Sequence, residues 1–172
     1  MNERLVDIIV GSKTDLPYTE ACKEVLGKLA IPWELSILSA HRHPKGLEER
    51  VKDAFLSGVK AIICFAGWSA ALPGAVAPFA KAKGIMVIGV ALPSTEFPDA
   101  MDALLAMTRL PPGLGVVCAG IGAGAGTNAA LFVAEALAGG GFLPMDKLML
   151  RYKEMNEAKP PLPGLESGPK AE

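Results

Sequence analysis

Short apolar runs alternate along the chain with stretches whose apolar residues recur every three or four positions. The first run, Val6–Val10 (VDIIV), stops at Gly11. Runs bounded in this way, without polar alternation, are expected of strands buried on both faces of a parallel sheet. Tyr18, Ala21, Cys22, Val25, Leu26 and Leu29 then fall on one face of a helix. Asp15 stands where a cap would, Pro17 is tolerated in a first turn, and Ile31-Pro32 ends the helix. The unit recurs. Strands are expected at Glu34–Leu38, Lys60–Phe65, Ile85–Val90 and Val116–Ala119. Helices are expected around Leu47, Val51, Ala54 and Phe55, from about Gly74, over Asp99–Met107 and over Thr127–Leu137. Regular alternation of strand and helix predicts an α/β domain, a mostly parallel sheet with helices on both faces. A closed eight-fold barrel is excluded, because the 172 residues are too few for it.

One domain, residues 1–143, accounts for this pattern. Residues 144–158 read as a further helix, packed on the domain or on a neighbouring subunit. The last segment, 159–172, is rich in Pro, Gly and charge and reads as a flexible tail. A domain of this size buries roughly 70% of its unfolded surface, so neither a disulfide nor a metal is needed to hold a core. Cys22, Cys64 and Cys118 are odd in number and far apart, which suits free thiols in a reducing compartment. With His41 and His43 the only histidines, a histidine-rich zinc site is not expected. The net charge of −1 lacks the basic excess of a duplex-binding protein, so no nucleic-acid partner is expected. No apolar run reaches the roughly 18 residues of a membrane span, and no leader pattern precedes the first strand. A soluble, cytoplasmic protein is the expectation.

In open α/β sheets, ligands bind beyond the carboxyl ends of the strands. Five segments follow the strands here: Gly11–Asp15 (GSKTD), Ser39–Pro44 (SAHRHP), Ala66–Gly74 (AGWSAALPG), Leu92–Phe97 (LPSTEF) and Gly120–Asn128 (GIGAGAGTN). They are expected to meet at one edge. GSKTD offers backbone amides, the Ser12 and Thr14 hydroxyls and the Asp15 carboxylate, a set suited to a phosphate and a ribose. Asp15 could equally do no more than cap its helix. SAHRHP is the densest chemical cluster. Histidine titrates near neutrality, arginine binds phosphate in a fork, and Ser39 adds a hydroxyl. Position alone leaves His41 open between a structural and a chemical role. Ser69 and the surrounding backbone of AGWSAALPG suit an anion, with Trp68 as a flat wall, though a plain strand-to-helix turn would read the same. The glycine-rich segment is misplaced for a dinucleotide fingerprint and is expected to serve close packing and a left-handed turn. Glu96 and Asp99 read as solvated or capping groups, Arg109 as a surface residue, and Cys64 and Cys118 as core.

Taken together and in order, GSKTD, SAHRHP, the LPG of AGWSAALPG, RLPPG and IGAGAGTNAAL resemble the PurE family over about residues 5 to 137. The resemblance implies a flavodoxin-like three-layer fold and formation of 4-carboxy-5-aminoimidazole ribonucleotide in purine synthesis. One class of the family moves a carboxylate from the exocyclic nitrogen of N5-carboxyaminoimidazole ribonucleotide to ring carbon C4. Another class carboxylates aminoimidazole ribonucleotide directly with carbon dioxide. It implies no metal or organic cofactor, and a homo-octamer. Carried onto this sequence, it makes His41 the acid/base residue. Gly11, Ser12, Ser39 and Arg42 would serve the 5′-phosphate end and Asp15 the ribose. Gly67, Ser69 and Leu72 would hold the base and a released carbon dioxide.

The class signals are mixed. Mutase members usually carry a histidine where Ala71 stands and often a lysine where Ala123 stands. Direct carboxylases tend to have a GRS-like segment, here Gly67-Trp68-Ser69, and an arginine such as Arg109 before Leu110. They usually carry lysine where this chain has Arg42, and Pro73 of LPG is retained here. His43 replaces a common threonine and reads as a surface residue.

Overall fold

The computed structural model describes residues 4–158. The expected tail, 159–172, lies outside the described residues. Five strands form one sheet: β1 (Val6–Val10), β2 (Trp33–Ile37), β3 (Ala61–Ala66), β4 (Met86–Ala91) and β5 (Val117–Ile121). Their order is β2-β1-β3-β4-β5 and every pairing is parallel. This is the flavodoxin-like order. The α-helices are α1 (Glu20–Lys28), α2 (Pro44–Leu56), α3 (Ala71–Lys81), α4 (Met101–Thr108), α5 (Gly122–Gly139) and α6 (Met145–Glu157).

The central strands show why their sequences lack polar alternation. Val6, Ile8 and Val10 of β1, Ala61, Ile63 and Phe65 of β3, and Ile88 and Val90 of β4 face one core, closed by α1 and α5. Ile9, Ile62, Cys64, Ala66, Val87 and Ala91 face a second core, closed by α2, α3 and α4. Successive side chains of a strand alternate between faces, so a strand covered on both sides must be apolar at nearly every position. The edge strands are covered less. Trp33 and Ile37 of β2, and Val117 and Ile121 of β5, are exposed. On α6, Leu148 enters the first core, and the Tyr152 hydroxyl donates to the Glu135 carboxylate of α5.

The exception in β1 is Asp7, fully buried on the α2 side. Burial pushes its carboxyl up from the ordinary value, while Arg4 and Arg50 pull it back. Arg4 Nε lies 2.6 Å from one carboxylate oxygen and Arg50 Nε 2.9 Å from the other. Glu34 and Asp53, both half exposed, complete the network around the two guanidiniums. It joins β1, β2 and α2 away from the strands' carboxyl ends.

Three boundaries differ from expectation. Asp15 is not the cap. Ser12 caps a 3-10 segment, Lys13–Thr19, and α1 begins only at Glu20. With the cap at Ser12, Pro17 falls beyond the first turn, where its missing N–H and its ring disfavour a continuous α-helix, and a 3-10 segment stands there instead. α3 starts at Ala71, a turn earlier than expected, because Pro73 then sits in the first turn, where proline is tolerated. α5 starts within the glycine run at Gly122. Gly120 (φ 119°) and Gly122 (φ 72°) make the left-handed turn. Gly126 lets α5 approach α1: a Cβ there would stand 3.3 Å from the Tyr18 carbonyl oxygen and 3.4 Å from Cys22 Cβ.

Candidate active site

β1 lies between β2 and β3, so the chain leaves the carboxyl ends of β1 and β3 in opposite directions across the sheet. A crevice opens between two such strands. Here it is a cavity of about 770 Å3. Its walls come from the loops after β1, β2, β3 and β4. The glycine-rich segment after β5 does not line it. β5 is two strands from β3 in the sheet, so the expectation that five loops converge holds for four.

After β1, Gly11 and Ser12 reach the cavity together with Thr14 and Asp15. The Ser12 hydroxyl oxygen accepts from the Thr14 amide at 3.4 Å and from the Thr14 hydroxyl at 3.0 Å. Burial raises the Asp15 carboxyl above its ordinary value, opposed by the Ser12 amide, the Thr14 hydroxyl and the Gly11 amide. A carboxylate held this way is ordered before a ligand arrives.

The loop after β2 carries Ser39, Ala40, His41 and Arg42 into the cavity wall. A turn in which the His43 amide donates to the Ser39 carbonyl, 2.8 Å, closes it. The Arg42 amide donates to the Ser39 hydroxyl oxygen at 3.4 Å, and the Ser39 amide donates to His43 Nδ1 at 3.3 Å. His43 is thus exposed, as a surface residue would be, yet it ties the loop that presents His41 and Arg42. It occupies the cap position of α2 without a capping bond, and Pro44 follows at the first helical position.

After β3, Gly67 lies against the Leu92 main chain, where a Cβ would meet the carbonyl oxygen at 3.1 Å. The Ala70 amide donates to the Gly67 carbonyl at 2.9 Å. Between these anchors stand Trp68 and Ser69, and Ala71 and Leu72 of α3 complete that wall. Pro93, Ser94 and Thr95 close the side beyond β4.

His41, Gly11, Ser12, Asp15, Ser39, Arg42, Gly67, Ser69 and Leu72 therefore line one cavity. Among its lining residues the titratable side chains are Asp15, Tyr18, His41 and Arg42. Tyr18, assigned to the apolar face by its spacing, does pack against the first core and in addition lines the cavity, which spacing alone does not reveal. Asp99 precedes Ala100, the cap position of α4, and its carboxylate accepts from the Met101 amide at the first helical residue, 3.1 Å. Among the described residues no group of three His, Cys, Asp or Glu side chains is arranged to hold a metal ion.

The sequence matches the family model described as AIR carboxylase over residues 5–158. It is 38% identical over 152 residues to the N5-carboxyaminoimidazole ribonucleotide mutase of Pyrococcus abyssi, covering 88% of this chain and 78% of that protein. The chain belongs to the AIR carboxylase family. The mutase of Saccharolobus solfataricus is 34% identical over 150 residues, covering 87% of this chain and 84% of its own. A bifunctional purine synthesis protein purC/E of Dictyostelium discoideum is 39% identical over 138 residues; that match covers 80% of this chain and 13% of the larger protein. Among solved structures, PurE of Treponema denticola superposes with a TM-score of 0.75 at 26% identity, covering 90% of this chain and 92% of that one. The family's flavodoxin-like fold is the one described above. Among the described residues, no helix is long and apolar enough to cross a membrane.

Proposed function

We propose that this chain converts N5-carboxyaminoimidazole ribonucleotide to 4-carboxy-5-aminoimidazole ribonucleotide. One observation carries the reading. His41, whose imidazole can both give and take a proton, shares a switch-point cavity with donors for a phosphate (Ser12, Ser39, Arg42) and a carboxylate (Asp15). Arg42 and the two hydroxyls bind the 5′-phosphate, with the Gly11 backbone beneath it, and Asp15 accepts from the ribose. Protonated His41 donates to the exocyclic nitrogen as its bond to the carboxylate breaks and carbon dioxide departs. Carbon C4 then attacks the carbon dioxide, and neutral His41 takes the C4 proton. Protons and carboxylate balance, so the net reaction is an isomerisation. Gly67, Ser69 and Leu72 hold the base and keep the carbon dioxide from water.

A specific residue favours the rival reading, direct carboxylation of aminoimidazole ribonucleotide. Ala71, not a histidine, lines the cavity at the position where mutases usually carry one. Two assays divide these readings: N5-carboxyaminoimidazole ribonucleotide alone, and aminoimidazole ribonucleotide with bicarbonate. Turnover in the first supports the mutase; turnover only in the second replaces it; binding without turnover in both leaves a nucleotide-binding module. His41→Asn is expected to lose at least a hundred-fold in kcat while still binding nucleotide, in line with the roughly 10²–10⁴-fold worth of a positioned acid/base. Retained turnover would remove His41 from the mechanism. A homo-octamer, as the resemblance implies, and a cytoplasmic location complete the proposal. Exposed apolar side chains on both edge strands and on α6 (Met145, Met149, Leu150) support assembly.

A further inference from the structure

Four non-glycine residues among those described have left-handed backbone: Ala30, Trp68, Ala70 and Ala100. Three are alanine. Trp68, at φ 56°, is the bulky exception, and a large side chain in that region is strained. The residue is also 66% exposed, the highest value among the exposed large hydrophobic residues described. Strain and an exposed aromatic ring thus coincide on one residue, and that residue lines the cavity beside His41 and Arg42.

The loop cannot shed either feature by shifting. Gly67 is held against the Leu92 main chain, Ala70 is buried and bonded back to Gly67, and Leu72 is buried at the start of α3. A turn kept only for its shape would carry glycine at position 68, where left-handed backbone costs nothing sterically. Tryptophan there makes sense if the ring meets something that the free protein lacks. A flat apolar face at the opening of a cavity that also presents an arginine, two serines and a carboxylate suits a heteroaromatic ring attached to a sugar phosphate.

We infer that Trp68 is a substrate-binding residue whose indole stacks on the aminoimidazole ring and closes the cavity over it. The inference rests on the ribonucleotide reading above and adds the ring contact. Stacking orients the ring with C4 toward the reacting carboxyl group, and the same cover excludes water from released carbon dioxide. It also gives this chain a closing group on the wall where Ala71 offers no imidazole.

The test uses the full chain carrying Trp33→Phe. The sequence has two tryptophans, and Trp33 lies on edge strand β2, so Trp68 becomes the sole indole reporter. Aminoimidazole ribonucleotide is expected to change Trp68 emission and to protect it from acrylamide. Ribose 5-phosphate, which lacks the ring, should bind in competition while leaving emission unchanged. In the otherwise native chain, Trp68→Gly should melt no lower than the parent, because glycine relieves the strained backbone. It should weaken aminoimidazole ribonucleotide roughly ten- to hundred-fold, the scale of ring stacking, with ribose 5-phosphate affinity unchanged. Trp68→Phe should stay within about three-fold of the parent, since a phenyl face still stacks. If both ligands bind but emission and Trp68→Gly affinity do not move, Trp68 is not the ring contact, and the ribonucleotide reading survives. A lower melting temperature with equal loss for both ligands makes Trp68 structural and overturns the inference. If neither ligand binds the parent by calorimetry, the ribonucleotide reading fails and this inference with it.

Discussion

Replacing Asp7 with asparagine tests whether the buried ion network holds β1, β2 and α2 together. The carboxylate is fully buried, and the side chains of Arg4 and Arg50 are only 10% and 13% exposed. Asparagine keeps the size but removes the charge and turns an N–H2 toward at least one guanidinium. Arg4 Nε (2.6 Å) and Arg50 Nη2 (3.0 Å) lose a charged acceptor, and Arg50 Nε, 2.9 Å from the other carboxylate oxygen, loses its counter-charge. Breaking a buried pair by removing one partner costs about 3–5 kcal/mol. Glu34 and Asp53 stay in place but are 51% and 56% exposed, so they compensate only in part. The expected loss is therefore at the lower end, about 3 kcal/mol. For a domain of this length that lowers the melting temperature by roughly 6–12 °C. Urea unfolding followed by circular dichroism measures it, with Arg50→Met and the double variant completing a cycle. A double variant less destabilised than the sum of the singles shows the coupling. At about 3.3 Å per residue, Asp7 lies on the order of 13 Å along the strand from Gly11. Activity of the folded Asp7→Asn enzyme should therefore stay within about two-fold of the parent. An Asp7→Asn variant that unfolds at the parent's urea midpoint would refute this account, and an intact fold with lost activity would refute its separation from the site.

Two further perturbations probe the walls of the cavity. The Asp15 carboxyl is raised above its ordinary 3.8 by burial, so in the pH window just above that value the folded chain holds a proton that the unfolded chain has released. Its stabilising contribution is complete below the unfolded value and disappears as pH rises through the folded one. Asp15→Asn should flatten melting temperature against pH in that window, leave stability at neutral pH equal or higher, and weaken ribonucleotide binding. A parent that loses stability on acidification through the same window, with the loss abolished by Asp15→Asn, would reverse the assigned sign. Gly126→Val should cost about 1–3 kcal/mol by overpacking α5 on α1, because even a Cβ stands 3.3 Å from the Tyr18 carbonyl oxygen. It should also raise KM, since Tyr18 lines the cavity; an unchanged urea midpoint would show that the helices separate freely.

The order of elements was legible in the sequence alone, because a strand buried on both faces has to be apolar almost throughout. VDIIV, AIICFA and MVIGVA advertise β1, β3 and β4 in this way. The convergence of Ser12, Asp15, Ser39, His41 and Arg42 was legible too, since they follow directly on strand ends, and they do line one cavity. Local propensity failed where packing overrides it. The glycine run reads as a loop, yet it begins α5, because Gly126 buries that helix closely against α1. Pro17 and Asp15 suggested an early α-helix where a 3-10 segment capped by Ser12 stands instead; its Tyr18 packs on the first core, as its spacing implied, and also lines the cavity. Only the tertiary structure decided which loops meet. The order β2-β1-β3-β4-β5 opens the crevice between β1 and β3 and leaves the glycine-rich segment outside it, because strand order depends on which crossovers pack on which face. The left-handed backbone of Trp68 belongs to the same class of fact. A tryptophan carries no local preference for that conformation; the anchored neighbours Gly67 and Ala70 impose it.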